Sequence, residues 1–315
     1  MHREVAVLVP CFNEELTVAK VVEDFRASLP GAKIYVYDNA STDGTAAVAR
    51  AAGAQVLREK KRGKGNVVLR MFEQVDADYY LMVDGDDTYP AERAKDLLEP
   101  LLANEADMVV GTRLASEGPG LFRRFHVLGN WLVRGMINWL FGSEIQDVMS
   151  GYRGFTREFV RSVPLVSRGF EIETELTVQA LDKGFVIREV PVEYRARPQG
   201  STSKLRTFGD GWLVLSTIVR LFKDFRPLAF CTAIASFLFV AGLIPGLVVV
   251  VEFLQTSYIA HVPSAIFAVG SILLSFLFFM SGLILDTINA RFHETWRLTK
   301  RLAVADIHRN HGQAA

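Results

Sequence analysis

Two apolar stretches near the C-terminal end, Leu228–Val251 and Val262–Ile288, restrict the architecture of this chain more than any other feature. Each exceeds the roughly 20 helical residues needed to cross a hydrocarbon core. The linker from Gln255 to His261 carries neither Lys nor Arg. Arg220, Lys223 and Arg226 precede the pair, and Arg291, Arg297, Lys300 and Arg301 follow it. Positive charge is retained on the cytoplasmic side of a membrane, so the pattern predicts a re-entering hairpin with both flanks in the cytosol. Gly242, Gly246, Gly270 and Gly282 suit close helix packing, within the hairpin or between the subunits of a homo-oligomer. The hydrophobic fraction of 50% is concentrated here rather than spread along the chain. Val5 to Phe12 is too short an apolar run for a signal peptide, so the portion before the hairpin is expected to stay cytoplasmic. A formal net charge of zero gives no general attraction to nucleic acid. Two cysteines, Cys11 and Cys231, one near each end, argue against a disulfide framework.

The first part of the chain has a different rhythm. Val5–Val9, Ile34–Tyr37, Gln55–Leu57, Tyr79–Val83 and Met108–Arg113 read as strands separated by helical segments. That alternation predicts βαβ units and a mainly parallel, Rossmann-like sheet of the α/β class. Asn13 is expected to cap the first helix, with Glu14 and Glu15 in its first turn and Leu16, Ala19, Val22 and Leu29 facing the core. After Arg113 the alternation breaks. Phe122–Phe141 places Arg123, His126, Asn130 and Arg134 on one stripe, with Phe125, Leu128, Leu132, Met136 and Trp139 largely opposite. Such a helix can lie in a membrane interface. Gly151–Phe155 returns toward the sheet, Gly169–Ala180 reads as a helix rich in glutamate, and Phe185–Tyr194 alternates like a strand. The flexible basic stretch Arg195–Arg206 and a second interfacial helix lead into the hairpin. The expected division is a catalytic domain over 1–206, a juxtamembrane helix over 207–226, the hairpin over 227–290 and a basic tail over 291–315.

The fourth strand runs straight into Asp84-Gly85-Asp86-Asp87-Thr88. In an open α/β sheet, ligands bind outside the carboxyl ends of the strands. Asp84 and Asp86, separated only by Gly85, can turn toward one hard cation, and carboxylate oxygen suits Mg²⁺ or Mn²⁺. Lys64, framed by Gly63 and Gly65, can bring positive charge to a phosphate that approaches the backbone closely.

These elements occur in a fixed order: Pro10-Cys11-Phe12-Asn13-Glu14-Glu15, Asp38-Asn39-Ala40-Ser41-Thr42-Asp43-Gly44-Thr45, Arg62-Gly63-Lys64-Gly65 and Asp84-Gly85-Asp86. The set resembles the family-2 glycosyltransferases with the GT-A fold. Ser150-Gly151-Tyr152-Arg153, Gly169-Phe170-Glu171 and Gly200-Ser201-Thr202-Ser203-Lys204-Leu205 are similar to the dolichyl-phosphate mannose synthase branch, which includes bacterial polyprenyl-phosphate transferases. The resemblance covers about residues 4–206 and implies inverting transfer from a UDP- or GDP-sugar to a polyprenyl or dolichyl phosphate. It implies that Pro10, Asn13, Glu14 and Asp38 surround the nucleoside, and that Lys64, Asp84, Gly85 and Asp86 complete the donor site. Thr88 would join Asp84 and Asp86 around the metal.

A lipid monophosphate is already an oxyanion and needs cations rather than a base. Arg113, Arg153, Arg197 and Lys204 are the expected cations, with Ser203 as a polar helper. Asp86, Arg113, Arg153 and Lys204 are the expected catalytic set. Relatives often carry a further basic residue just before the position of Asn130, where this chain has Val127, Leu128 and Gly129; Arg123, Arg124 or His126 can substitute. The competing reading is transfer to a hydroxyl of another membrane-bound saccharide. That chemistry needs a general base, for which Asp147, Glu171 and Glu173 are the available carboxylates. A catalytically silent nucleotide-sugar-binding scaffold is a third reading, opposed by the intact Asp84-Gly85-Asp86.

Overall fold

The computed structural model describes residues 3–113, 121–165, 171–195, 198, 216 and 219–312. The chain divides into two units, Met1–Val214 and Leu215–Ala315.

Short apolar runs become strands because a strand buried on both faces needs apolar side chains at successive positions. β1 (Val5–Cys11) and β4 (Tyr79–Met82) satisfy that requirement: Val7, Leu8, Val9, Leu81 and Met82 are fully enclosed. Together with β2 (Lys33–Asp38), β3 (Gln55–Arg58), β5 (Met108–Arg113), β6 (Arg153–Thr156) and β7 (Ile187–Val192) they form one seven-stranded sheet, in the order β3-β2-β1-β4-β6-β5-β7. β1 pairs in parallel with both β2 and β4, so strand order reverses there and a crevice opens at their carboxyl ends. β6 is antiparallel to both its neighbours, with Arg153 opposite Met82 and Val110. The expectation of an α/β, mainly parallel sheet is met, and β6 is the exception within it.

Helices cover the sheet. α1 (Val18–Ser28) buries Val18, Val21, Val22 and Phe25; each such burial stabilises by about 1.5–3 kcal/mol before conformational entropy is counted. α2 (Thr45–Ala51), α3 (Lys64–Gln74), α4 (Ala94–Leu102), α5 (Leu121–Phe141), α6 (Arg157–Ser162) and α7 (Ile172–Asp182) follow in order.

The start of α1 corrects the sequence reading. The helix begins four residues later than expected, behind Thr17, and Asn13 sits outside it with φ +53°. Leu16 is 71% exposed and does not enter the core. The reason is local: Glu14 N–H donates to Thr45 Oγ1 at 2.9 Å and Glu15 Oε2 accepts from Gly44 N–H at 2.9 Å. Glu15 thus serves the start of α2, across the loop, instead of the first turn of α1.

In the second unit, α8 (Pro227–Thr256) and α9 (Val262–Gly312) pack against one another. Pro227–Thr256 and Val262–Phe292 are long and apolar enough to cross a membrane, and less than a quarter of each span is buried. A Cβ on Gly242 would lie 2.9 Å from Ala268 O, and one on Gly282 would lie 2.8 Å from Cys231 Cβ. Glycine is required at both places for the helices to approach. A Cβ on Gly270, by contrast, would meet nothing within 4 Å among the described residues. Phe237, Leu254, Ile266 and Phe276 stand on the outer surface, a large apolar area that water does not favour.

Candidate active site

The donor side is built from loops that leave β1, β2 and β4 at the carboxyl edge. Cys11 and Asp38 pair across the last register of β1 and β2, and Asn39 N–H donates to Cys11 O. Pro10, Asn13, Glu14 and Asp38 therefore lie on adjoining strand ends and loops. Asn13 Oδ1 accepts from Thr42 N–H at 2.8 Å, while its own N–H donates to Ser41 Oγ at 3.0 Å. Asp38 is 4% exposed and accepts from Ser41 N–H at 3.1 Å. These side chains knit the two loops into one wall.

The Asp84-Gly85-Asp86 turn is fixed from several directions. Val83 N–H donates to Leu8 O, and Thr17 Oγ1 donates to Gly85 O at 2.6 Å. A Cβ on Gly85 would stand 2.5 Å from Cys11 Sγ, so only glycine allows the turn to press against β1. Asp86 is 3% exposed, and its Oδ1 accepts from Thr88 Oγ1 at 2.6 Å and from Thr88 N–H at 3.3 Å. Thr88 is fully buried and spends its hydroxyl proton on that carboxylate. Thr88 thus orients Asp86 and stands next to the expected metal ligand. Asp87 turns aside at φ +57° and pairs with Lys20 at 2.8 Å. Asp84 and Asp86 remain as two hard-oxygen groups on one turn, a donor set that fits Mg²⁺ or Mn²⁺ completed by a diphosphate.

Lys64 reaches this turn from the start of α3. Its ammonium bridges Asp84 Oδ1 and Glu173 Oε1. Burial disfavours the charged ammonium, but the two carboxylates outweigh it and hold Lys64 above the ordinary lysine range. Burial pushes the Glu173 carboxyl up, with Lys64 opposing. Asn39 sets the approach of Lys64: its amide donates to Glu59 O and Lys61 O and accepts from Gly63 N–H, which fastens the loop before α3. Asn39 lies within a turn motif quoted from the sequence, but nothing in its spacing revealed this contact.

The other wall begins where β6 starts. A Cβ on Gly151 would fall 2.3 Å from Asp84 Oδ2, and Gly151 N–H donates to the buried Tyr89 hydroxyl at 3.0 Å. Arg113, at the end of β5, grips Asp147 with two bonds, Nε to Oδ2 at 2.7 Å and Nη2 to Oδ1 at 2.9 Å, and lies over the Tyr194 ring. Burial works against the charged carboxylate, yet the Arg113 hydrogen bonds hold Asp147 below the ordinary range. Arg113 keeps 30% of its side chain exposed, so it is anchored and still reachable.

Arg153 departs from expectation. It is fully enclosed and donates to Ser150 O at 2.8 Å, Val148 O at 2.6 Å and Thr177 Oγ1 at 2.9 Å. A cation so enclosed does not present itself to a lipid phosphate; it braces the loop that carries Gly151. Arg197, Ser203 and Lys204 lie outside the described residues, as do the side chains of Arg123, Arg124 and His126.

Comparison with known proteins follows the same outline. Residues 6–163 match the model for Glycosyl transferase family 2. The chain is 34% identical over 299 residues to Glycosyltransferase AglJ of Haloferax volcanii, covering 95% of this chain and 98% of that one. It is 28% identical over 223 residues to a dolichyl-phosphate hexose transferase of the same organism, covering 71% and 96%. Glucosyl-3-phosphoglycerate synthase of Mycobacterium tuberculosis, crystallised with Mn²⁺, uridine diphosphate and glucosyl-3-phosphoglycerate, superposes with a TM-score of 0.58 at 23% identity, covering 70% of this chain and 80% of that one. At that identity the likeness speaks for the GT-A fold.

Proposed function

The chain belongs to glycosyl transferase family 2, and on that premise we propose that it moves one sugar from a nucleotide-sugar to a polyprenyl phosphate at the cytoplasmic face of a membrane. The observation that carries this reading is what has become of the spare carboxylates. A hydroxyl acceptor needs a base to take its proton. Asp147 is held charged by both arms of Arg113, and Glu173 is buried on Lys64. Glu171 stands at the head of α7. An acceptor that arrives as an oxyanion removes the need for a base, and the partly exposed Arg113 is proposed to contact it. Arg197, Ser203 and Lys204 are proposed to complete that contact.

On the donor side, Pro10, Asn13, Glu14 and Asp38 are proposed to line the nucleoside, with Lys64 toward the diphosphate. Asp84 and Asp86 would hold Mg²⁺ or Mn²⁺, which when bound neutralises charge on the departing nucleoside diphosphate. The Mn²⁺ and uridine diphosphate of the mycobacterial synthase support this by likeness of fold. Attack from the face opposite the leaving group inverts the anomeric carbon.

The membrane setting rests on α8 and α9, whose cationic flanks favour a cytoplasmic catalytic unit. α5 adds a second contact: Val133, Ile137 and Leu140 face the core, while Trp131, Leu132 and Trp139 remain exposed. Tryptophan prefers the headgroup level of a bilayer, so α5 is proposed to rest in the interface.

The test is to incubate the purified protein with a panel of UDP- and GDP-sugars and a short polyprenyl phosphate. A phosphodiester-linked sugar, labile to mild acid, is the expected product. A glycosidic link to a carbon-borne hydroxyl would end this reading in favour of another membrane-bound acceptor.

A further inference from the structure

The donor site holds one carboxylate more than its chemistry uses. Glu173 is 5% exposed in the first turn of α7, far in sequence from the loops that form the site. Burying a carboxylate costs several kcal/mol unless it is paired and hydrogen-bonded, so an apolar residue would serve α7 better if packing were its only task. Its partner is Lys64, whose side chain is 12% exposed and which also holds Asp84. Arg153 donates to Thr177 one turn further along α7, and its positive charge acts on Glu173 through space. Thr177 joins the two, accepting from Arg153 Nη1 and donating to Glu173 O. Charges therefore alternate inward from the Asp84 turn: Asp84, Lys64, Glu173, Arg153.

An ammonium shared between two carboxylates differs from one with a single partner. The attraction between close opposite charges is strong away from bulk water, so each carboxylate competes with the other for the ammonium. A divalent cation arriving at Asp84 meets a carboxylate already engaged by Lys64. If Glu173 takes up the ammonium, Asp84 is released at small cost. If Lys64 has no second partner, its full attraction falls on Asp84 and opposes the ion.

We propose that Glu173 is a positioning residue of the donor site, the group that retains Lys64 when Asp84 engages a divalent cation. It acts through Lys64 and takes no proton from the acceptor. Arg153 reaches α7 through Thr177 and so steadies the turn that carries Glu173. The inference rests on the reading of Asp84 and Asp86 as metal ligands.

The experiment titrates Mn²⁺ alone into the full-length protein in detergent, followed by electron paramagnetic resonance, for the wild type, Glu173→Gln, Lys64→Met and the double variant. Glu173→Gln is expected to weaken Mn²⁺ binding about tenfold, equivalent to about 1.4 kcal/mol. Lys64→Met is expected to tighten binding of Mn²⁺ alone, and to weaken binding of UDP or GDP in its presence. In the double variant the effect of Glu173→Gln should vanish, because the competing ammonium is gone. Wild-type Mn²⁺ affinity in Glu173→Gln, or a defect that persists in the double variant, overturns the proposal. Should Glu173→Gln fail to fold, Lys64→Met decides: unchanged or weaker Mn²⁺ binding there is equally fatal. Asp86→Ala separates the two levels, since undiminished Mn²⁺ binding in that variant removes the metal site itself and not merely the role of Glu173.

Discussion

At the carboxyl edge of the sheet, Asn13, Asp38, Asn39, Asp86 and Arg113 each have a partner in the chain, whereas along α8 and α9 the recurrent contact is backbone against a small residue. The first region places charge through other charges and through backbone N–H groups. The second brings two helices together by removing side chains, at Gly242 and Gly282, and leaves large apolar groups outside. On the proposed membrane setting, the difference follows from the solvent each region faces. Polar groups near water and ligand must be held by specific bonds to stay in register. Helices in lipid gain little from hiding apolar surface from one another and depend on close packing. Substitutions should therefore act electrostatically at the edge and sterically in the hairpin.

The largest effect should come from Asp86→Ala, with turnover falling by about a thousandfold or more, because a bound metal contributes several kcal/mol to charge stabilisation. Steady-state rates with and without excess chelator check this, and undiminished turnover in chelator would exclude a metal role. Gly151→Ala comes next. Its Cβ collides with Asp84 Oδ2, so Asp84 must move or the strand must shift, at about 1–3 kcal/mol of overpacking. Thermal unfolding and Mn²⁺ affinity should both fall, and loss of neither would mean that the turn yields freely.

Asp147→Asn tests the acceptor side through pH. Arg113 holds the Asp147 carboxyl below its ordinary value despite burial. A depressed carboxylate contributes stability above the unfolded value and loses it as pH falls through the folded one. The variant should be about 1.5–3 kcal/mol less stable at neutral pH, and its melting temperature should vary less on acidification than that of the wild type. Parallel acid limbs in the two proteins would contradict the assignment. In the hairpin, Gly242→Val should weaken the helix pair by about 1–3 kcal/mol through its contact with Ala268 O. Binding of UDP or GDP to the folded protein should stay at wild-type affinity. The smallest effect is expected from Ser275→Ala, which removes the bond to Ala235 O at 2.8 Å. In comparable membrane settings such a bond is worth about 0.6 kcal/mol. A larger loss in hairpin unfolding would show that hydrogen bonding, and not packing alone, holds these helices.

Strand positions were legible because buried parallel strands write themselves as apolar runs, and the two C-terminal helices because long uninterrupted apolar stretches leave few alternatives. Asp84, Gly85, Asp86 and Lys64 were legible as a group from their order along the chain. What escaped was how side chains are spent. Asn13 looked like a cap because asparagine before a helix usually is one; here Thr42, from the next loop, claims its carbonyl. Arg153 looked like a ligand for phosphate because nothing in Ser150-Gly151-Tyr152-Arg153 records that its guanidinium turns inward to Val148 O and Thr177. Glu173 looked like a spare acid because its partner lies on α3, more than a hundred residues earlier. Tertiary contacts of this kind leave no periodicity to read.

The reversed direction of β6 has a consequence for how such a chain can diversify. β5 ends at Arg113 on the carboxyl edge of the sheet, and β6, running the other way, begins on that same edge. Everything between them leaves and returns at one address. A parallel crossover would have to travel back across the sheet and would be bound by its length. This excursion carries no such obligation: it can lengthen, shorten or be exchanged while the strands on either side keep their register. The donor loops, threaded through successive parallel crossovers, have no comparable freedom. Chain inserted at this place can thus be rewritten while the loops that leave β1, β2 and β4 stay as they are.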